Sequence, residues 1–256
     1  MPTADDILSK AILPTHLSSE EIREAWAAEI RRRAFFSART AEASYLKRLQ
    51  EICAEVAEGR MDNATARKLL RAKLDEIGYD PEAAGDEGIQ NLASRRRLDL
   101  ILDTQRQMAH SAALVAAQTP DVLDIHPAWR LERYGTRDTP RKDWAARWKA
   151  AGESVGWEGA SKSQMVALKS SPIWQALGDG AGGFRDTLGN PYPPFAYGSG
   201  LDWTPVGKDE AVALGLSPDG KPPKKATLSP GEREIAEAAR RLGPDFMKEL
   251  EAELEG

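Results

Sequence analysis

From Ser18 to Glu58 the chain contains no proline or glycine, and Ile22, Trp26, Ile30, Tyr45, Leu49, Ile52 and Val56 recur at the spacing of one helix face. The pattern predicts a long amphipathic helix, bent near Phe35 and Phe36. Ser18 or Ser19 would cap its start, with Glu20 and Glu21 in the first turn, and Gly59 would stop it. The next stretch, MDNATARKLLRAKLDEIGYDP, predicts a shorter helix capped by Asp62 or Asn63 and closed by Gly78 ahead of Pro81. A third helix is expected from about Glu87 to Gln118, with Leu92, Leu98, Ile101, Leu102, Met108 and Leu114 as its inner stripe. Helices of this length pack on one another, so residues 1–118 read as an elongated helical bundle or hairpin.

The pattern changes at Thr119–Pro120. Six of the seven tryptophans lie beyond His126, with most of the prolines and glycines. Helical periodicity survives in pieces, at Asp143–Ala151, Ser161–Gly178 and Asp209–Leu214. AWRLERYG alternates apolar and charged residues, as an antiparallel strand does. Residues 119–217 therefore read as a compact mixed domain with a short antiparallel sheet. Residues 218–230, rich in proline and lysine, read as an extended linker. Residues 231–256 read as a final helix with Ile235, Leu242, Phe246, Leu250 and Leu254 near one face. The fold class expected is α+β: an elongated helical N-terminal part, a small mixed domain and a C-terminal helix.

Composition narrows the classes. The chain has 256 residues and a net charge of −5, which provides no global attraction to nucleic acid or to an anionic membrane. A single cysteine, Cys53, excludes an internal disulfide and a cysteine-rich zinc site. The N-terminus carries two acids where a signal peptide needs positive charge, and no run approaches the length of a membrane span, so use without export and no membrane partner are expected.

His16, His110 and His126 are scattered, and no metal or other cofactor is expected. GDGAGGF, residues 178–184, lacks the GK[ST] ending of a phosphate loop and reads as a flexible loop. Ser199 in YGSGL reads as a turn residue, not as a nucleophile elbow. The triplets at 31–33 and 95–97 read as solvated faces or helix–helix ion pairs.

One cluster is more suggestive. Arg137, Arg141, Lys142, Arg147 and Lys149 stand among Trp129, Tyr134, Trp144 and Trp148, and cations among rings can hold phosphates while the rings stack on bases. The competing reading is that Glu132, Asp138, Asp143 and Glu153 neutralise the stretch and the aromatics are core. A second feature is the uncharged segment TLGNPYPPFAYGSGL between Asp186 and Asp202. Tyr192, Phe195, Tyr197 and Trp203 would bury large apolar area there, about 1.5–3 kcal/mol for each well-packed ring. Prolines 191, 193 and 194 lower the entropy cost of ordering the segment. The segment reads as a clasp over the small sheet.

In sum, SRRRLDLILDTQRQMAHSAALVAAQ, the aromatic stretch HPAWRLERYGTRDTPR and the closing segment SSPIWQALGD…FRDTLGNPYPPFAYGSGLDWTPV occur in an order that resembles the Mu-F-like minor head proteins of tailed phages. The likeness covers about residues 60–217. It implies a phage or prophage minor head protein active in head morphogenesis. Its partners would be the portal or other capsid proteins, with weak, sequence-independent contact to double-stranded DNA, and no small-molecule substrate. The implied location is the virion head interior, after assembly in the bacterial host cytoplasm. The chain departs from the family's pattern: many members carry Arg-x-x-His where this chain reads Arg141-Lys142-Asp143-Trp144, and cysteines near the closing loop that are missing here. These departures favour a structural role over an enzymatic one. Two alternatives remain open: a nuclease or toxin-like enzyme of the kind fused to such domains, although residues beyond 217 read only as linker and helix, and a DNA-binding accessory protein outside any virion.

Overall fold

The computed structural model describes residues 3–82, 88–134, 142–156 and 164–216. They form an α+β protein in two compact units that divide between His110 and Ser111.

The first unit contains α1 (Thr3–Leu8), β1 (Ala11–Ile12), α2 (Ser19–Ala25), α3 (Ala28–Arg33), β2 (Ala34–Phe35), α4 (Ala43–Ala57), α5 (Asn63–Glu76) and most of α6 (Arg95–Ala116). The long helix expected from Ser18 to Glu58 is therefore three helices and a two-residue strand. Trp26 and Phe36 meet edge to face with ring centroids 5.1 Å apart. In one continuous helix, ten residues would separate them by about 15 Å. The chain instead turns at Trp26 and Ala34, both extended, and again at Arg39, whose φ is 56°. The turn lets β2 pair in parallel with β1 and places Phe35 in the core. Burial of the aromatics outweighs local helix preference here, which a scan for proline and glycine cannot detect.

Where capping groups are present the helices follow the sequence. Ser18 and Glu21 form a reciprocal capping box on α2. Asp62 accepts from the N–H groups of Ala64 and Thr65 at the start of α5, and Gly78 at φ 74° terminates it. The core of this unit joins Leu46, Leu49, Ile52 and Cys53 of α4 to Leu70 and Leu74 of α5 and Leu98 and Leu102 of α6. Two buried polar side chains tie loops to this core. Gln50 Nε2 donates to the carbonyls of Ile7 (2.8 Å) and Lys10 (2.9 Å), and Arg97 donates to Ile89 O, Ser37 Oγ and Ala38 O. Arg97 is thus buried while Arg95 and Arg96 are exposed, so one member of that triplet is structural. Arg67 of α5 pairs with Asp99 of α6, and Arg95 of the triplet reaches the same Asp99 from within α6.

The second unit holds α7 (Pro120–Ile125), β3 (Ala128–Arg133), α8 (Trp144–Ser154), β4 (Val166–Leu168), α9 (Ile173–Asp179), β5 (Leu201–Val206) and α10 (Lys208–Ala213). The helix expected over Ser161–Gly178 is in fact β4 followed by α9. Pro172 stands between them, where it has no N–H to give a helix and disfavours helical geometry at Ser171. The strands form an antiparallel sheet in the order β4-β3-β5, with Trp129 opposite Ala167 and Pro205, and Leu131 opposite Trp203. Period-two alternation divides the side chains between two cores. Trp129, Leu131, Ala167, Leu201 and Trp203 enter an aromatic core with α8 and α9. Ala128, Val166 and Val206 face the other way, against Ala211 and Leu216.

The outer edge of β5 is blunted. Tyr134 N–H bonds to Gly200 O, so by alternation the backbone groups of Asp202, Thr204 and Val206 face β3, and the backbone groups of Leu201, Trp203 and Pro205 face away from it. Leu201 N–H donates to Ser199 Oγ, Trp203 N–H donates to Asp202 Oδ1, and Pro205 has no N–H. Residues 218–256, the expected linker and final helix, lie outside the described residues, as do Arg137 and Arg141. Among the described residues no helix is long and apolar enough to cross a membrane.

Candidate functional site

The basic–aromatic stretch is divided by α8. Trp144, Arg147, Trp148 and Ala151 recur at helical spacing and form its buried face. Trp148 touches Trp174 at 5.3 Å between centroids. Arg147, expected to face phosphate, is a core residue with a side chain 6% exposed. Nη2 lies 2.7 Å from Asp143 Oδ2 and Nη1 lies 2.8 Å from Asp186 Oδ1. Its guanidinium packs over the rings of Trp144 and Phe184. Burial alone would lower its pKa, but the two carboxylates outweigh it and hold the charge more firmly. The physical reason is its register: position 147 is three residues from Trp144 and four from Ala151, on the stripe that must be buried. Lys142 and Lys149 are exposed, and Lys149 reaches Glu153 at 3.6 Å. Trp129, Trp144 and Trp148 are core, and Tyr134 is exposed. Of the five cations expected to form one patch, the described residues therefore offer Lys142 and Lys149 to solvent.

The proline-rich segment is ordered by its neighbours. Thr187 bridges to Ala196, and Leu188 N–H donates to Phe195 O. Phe195 is fully buried between Trp174 and Trp203, and Tyr192 packs on the same cluster. Trp203 belongs to β5 and stacks on Trp129 at 5.0 Å with the planes 6° apart. Tyr197, expected to join them, lies at the surface, 37% exposed. The glycine run also has a packed role: a Cβ on Gly178 would sit 1.8 Å from Asn190 O, so only glycine lets α9 approach this segment. Ser199 Oγ accepts from Leu201 N–H, the turn role expected of it.

One residue was not singled out in the sequence. Lys169 follows β4, and its N–H bonds to Pro127 O, which puts its side chain on the aromatic face of the sheet. Nζ lies 4.0 Å from the Trp129 ring centroid and donates to Gln118 Oε1 at 2.6 Å. Lys169, Trp129 and Trp203 thus form a diagonal row across the three strands. The residue is 3% exposed, and burial pushes the amine down to about 8. No carboxylate pairs with it among the described residues. A lysine in a strand–helix connection carries no sequence signal for this; only the register with Trp129 reveals it.

Among the described residues no three His, Cys, Asp or Glu side chains come together as a metal site. Cys53 is buried, and burial pushes its thiol up to about 12, far from a reactive thiolate. A depression of about 370 Å³ between α4 and α5 is lined by Lys47, Arg48, Glu51, Lys73 and Glu76, and its acids are engaged in the Arg48–Glu51 and Lys73–Glu76 pairs. No family model, curated protein or solved structure matches this chain.

Proposed function

We propose that this protein is a non-enzymatic minor head component of a tailed phage or prophage, joining the procapsid through the portal or other capsid proteins. The observation that carries this reading is the order of elements over residues 60–217: a long helix, an aromatic strand and a proline-rich segment returning to the sheet, in a sequence resembling the Mu-F-like head proteins. The absence of the family's histidine and cysteines from the corresponding stretches supports a structural part over a catalytic one. Any contact with DNA would rest on Lys142 and Lys149, with Arg137 and Arg141 beside them in sequence, and would be weak and sequence-independent because phosphate contacts carry no base information.

The test is assembly. Heads produced from the portal and major capsid proteins encoded in the same genome, with this protein co-expressed, are separated by sedimentation and their components identified. The protein is expected in portal-containing particles and reduced in shells assembled without the portal. Its absence from both kinds of particle would sink the reading.

A further inference from the structure

Seven large hydrophobic side chains are exposed among the described residues, and three of them, Val122, Ile125 and Val212, belong to the short helices α7 and α10. The two helices are neighbours: Lys208 Nζ lies 2.5 Å from Asp124 Oδ1, and a Cβ on Gly207 would lie 4.0 Å from Ile125 O. Leu123 and Ala211 provide their buried sides. Val212 stands one turn beyond Lys208, the residue that reaches α7.

The surroundings are acidic. Asp121, Asp124, Asp209 and Glu210 are all exposed. Of the nearby cations, Lys208 is committed to Asp124 and Arg130 to Glu210. Asp121 and Asp209 are left without an ion-pair partner among the described residues. Aliphatic side chains framed by unpaired acids suit an occupant with the opposite charge and its own apolar stripe. DNA and an anionic membrane carry the wrong sign, and a second copy using this same face would set acid against acid.

We propose that the α7–α10 face docks a cationic amphipathic helix of a partner protein, with its apolar stripe on Val122, Ile125 and Val212 and its Lys or Arg side chains against Asp121 and Asp209. This inference does not depend on the proposed head function. The probe is a fluorescein-labelled leucine–lysine peptide of helical register, titrated with the intact chain by fluorescence anisotropy beside a leucine–glutamate counterpart. The lysine peptide should bind, more weakly as salt is added, and the glutamate peptide should not. The pair Asp121→Lys and Asp209→Lys should weaken binding about tenfold, as should Val122→Ser with Ile125→Ser. The control pair Asp75→Lys and Glu82→Lys, which changes net charge equally on exposed residues of the other unit, should leave it unchanged. Circular dichroism checks each fold. Should the serine pair fail to fold, the charge pair still decides, because both of its positions are exposed. Failure of the lysine peptide to bind, an equal loss in the control pair, or binding that arises only after residues 217–256 are removed would overturn the proposal.

Discussion

Replacing Lys169 with methionine tests the energetics of the aromatic core directly. Lys169 is 3% exposed, and its ammonium has a neutral acceptor in Gln118 Oε1 and an aromatic face in Trp129, and is pushed by burial from 10.5 down to about 8. That lowering corresponds to about 3 kcal/mol held against the folded state while the amine is charged, an upper figure if water reaches Nζ. The sign follows from proton counts. Below pH 8 both states carry the proton and the whole cost is present. From about 8 to 10.5 the folded state releases the proton while the unfolded chain keeps it, so stability rises with pH across that window. Methionine removes the charge but leaves Gln118 without its donor, a loss of about 1 kcal/mol. Lys169→Met should therefore be more stable than the parent by about 2 kcal/mol at pH 7, and the advantage should vanish by about pH 10. Urea unfolding followed by tryptophan fluorescence reports on this unit, because six of the seven tryptophans lie beyond His126. Only the difference between the two proteins is read at each pH, which cancels other titrating groups. A variant less stable at every pH by a constant amount would refute the reasoning and show that the ammonium is well compensated.

Three further outcomes are expected. Gly178→Ala should destabilise the second unit by about 3 kcal/mol, because its Cβ would meet Asn190 O at 1.8 Å; Gly183→Ala, with open space but φ of 85°, should cost about 1 kcal/mol in the same urea titration. Arg147→Met should lose about 2 kcal/mol, since it leaves Asp143 and Asp186 facing an apolar side chain, yet leave any gel shift with DNA unaltered at low and high salt; a smaller salt slope would return Arg147 to phosphate binding. Cys53, buried and held up at about 12, should resist a thiol reagent at pH 8 until denaturant is added, and rapid labelling of the native protein would contradict its burial.

Capping residues and glycine stops made α5 legible in the sequence, and alternation made β3 legible, because both signals are local. The break in composition at Thr119–Pro120 lies nine residues from the division between the two units, inside the helix that crosses it. What the sequence hid were decisions made by distant partners. Trp26 and Phe36 meet only because the chain abandons helix between them, and the charge that register buries at Arg147 is matched by Asp186 from across the core as well as by Asp143. Pro172 was visible and marked the end of β4's connection, yet apolar spacing over Ser161–Gly178 masked it. The clasp residues were found by composition, while the depth of Phe195, between Trp174 and Trp203, and the exposure of Tyr197 depend on contacts with α9 and β5 that lie far along the chain.

The outer margin of β5 bears on how copies of this protein can meet. An incoming strand needs donors as well as acceptors, and along this margin the N–H groups of Leu201 and Trp203 are occupied and Pro205 has none. Lengthening of the sheet from one molecule into the next is closed off on that side. However crowded the protein becomes, association there must proceed through side chains, whose shape and charge can discriminate among partners, and not through a backbone ladder that would accept any extended chain.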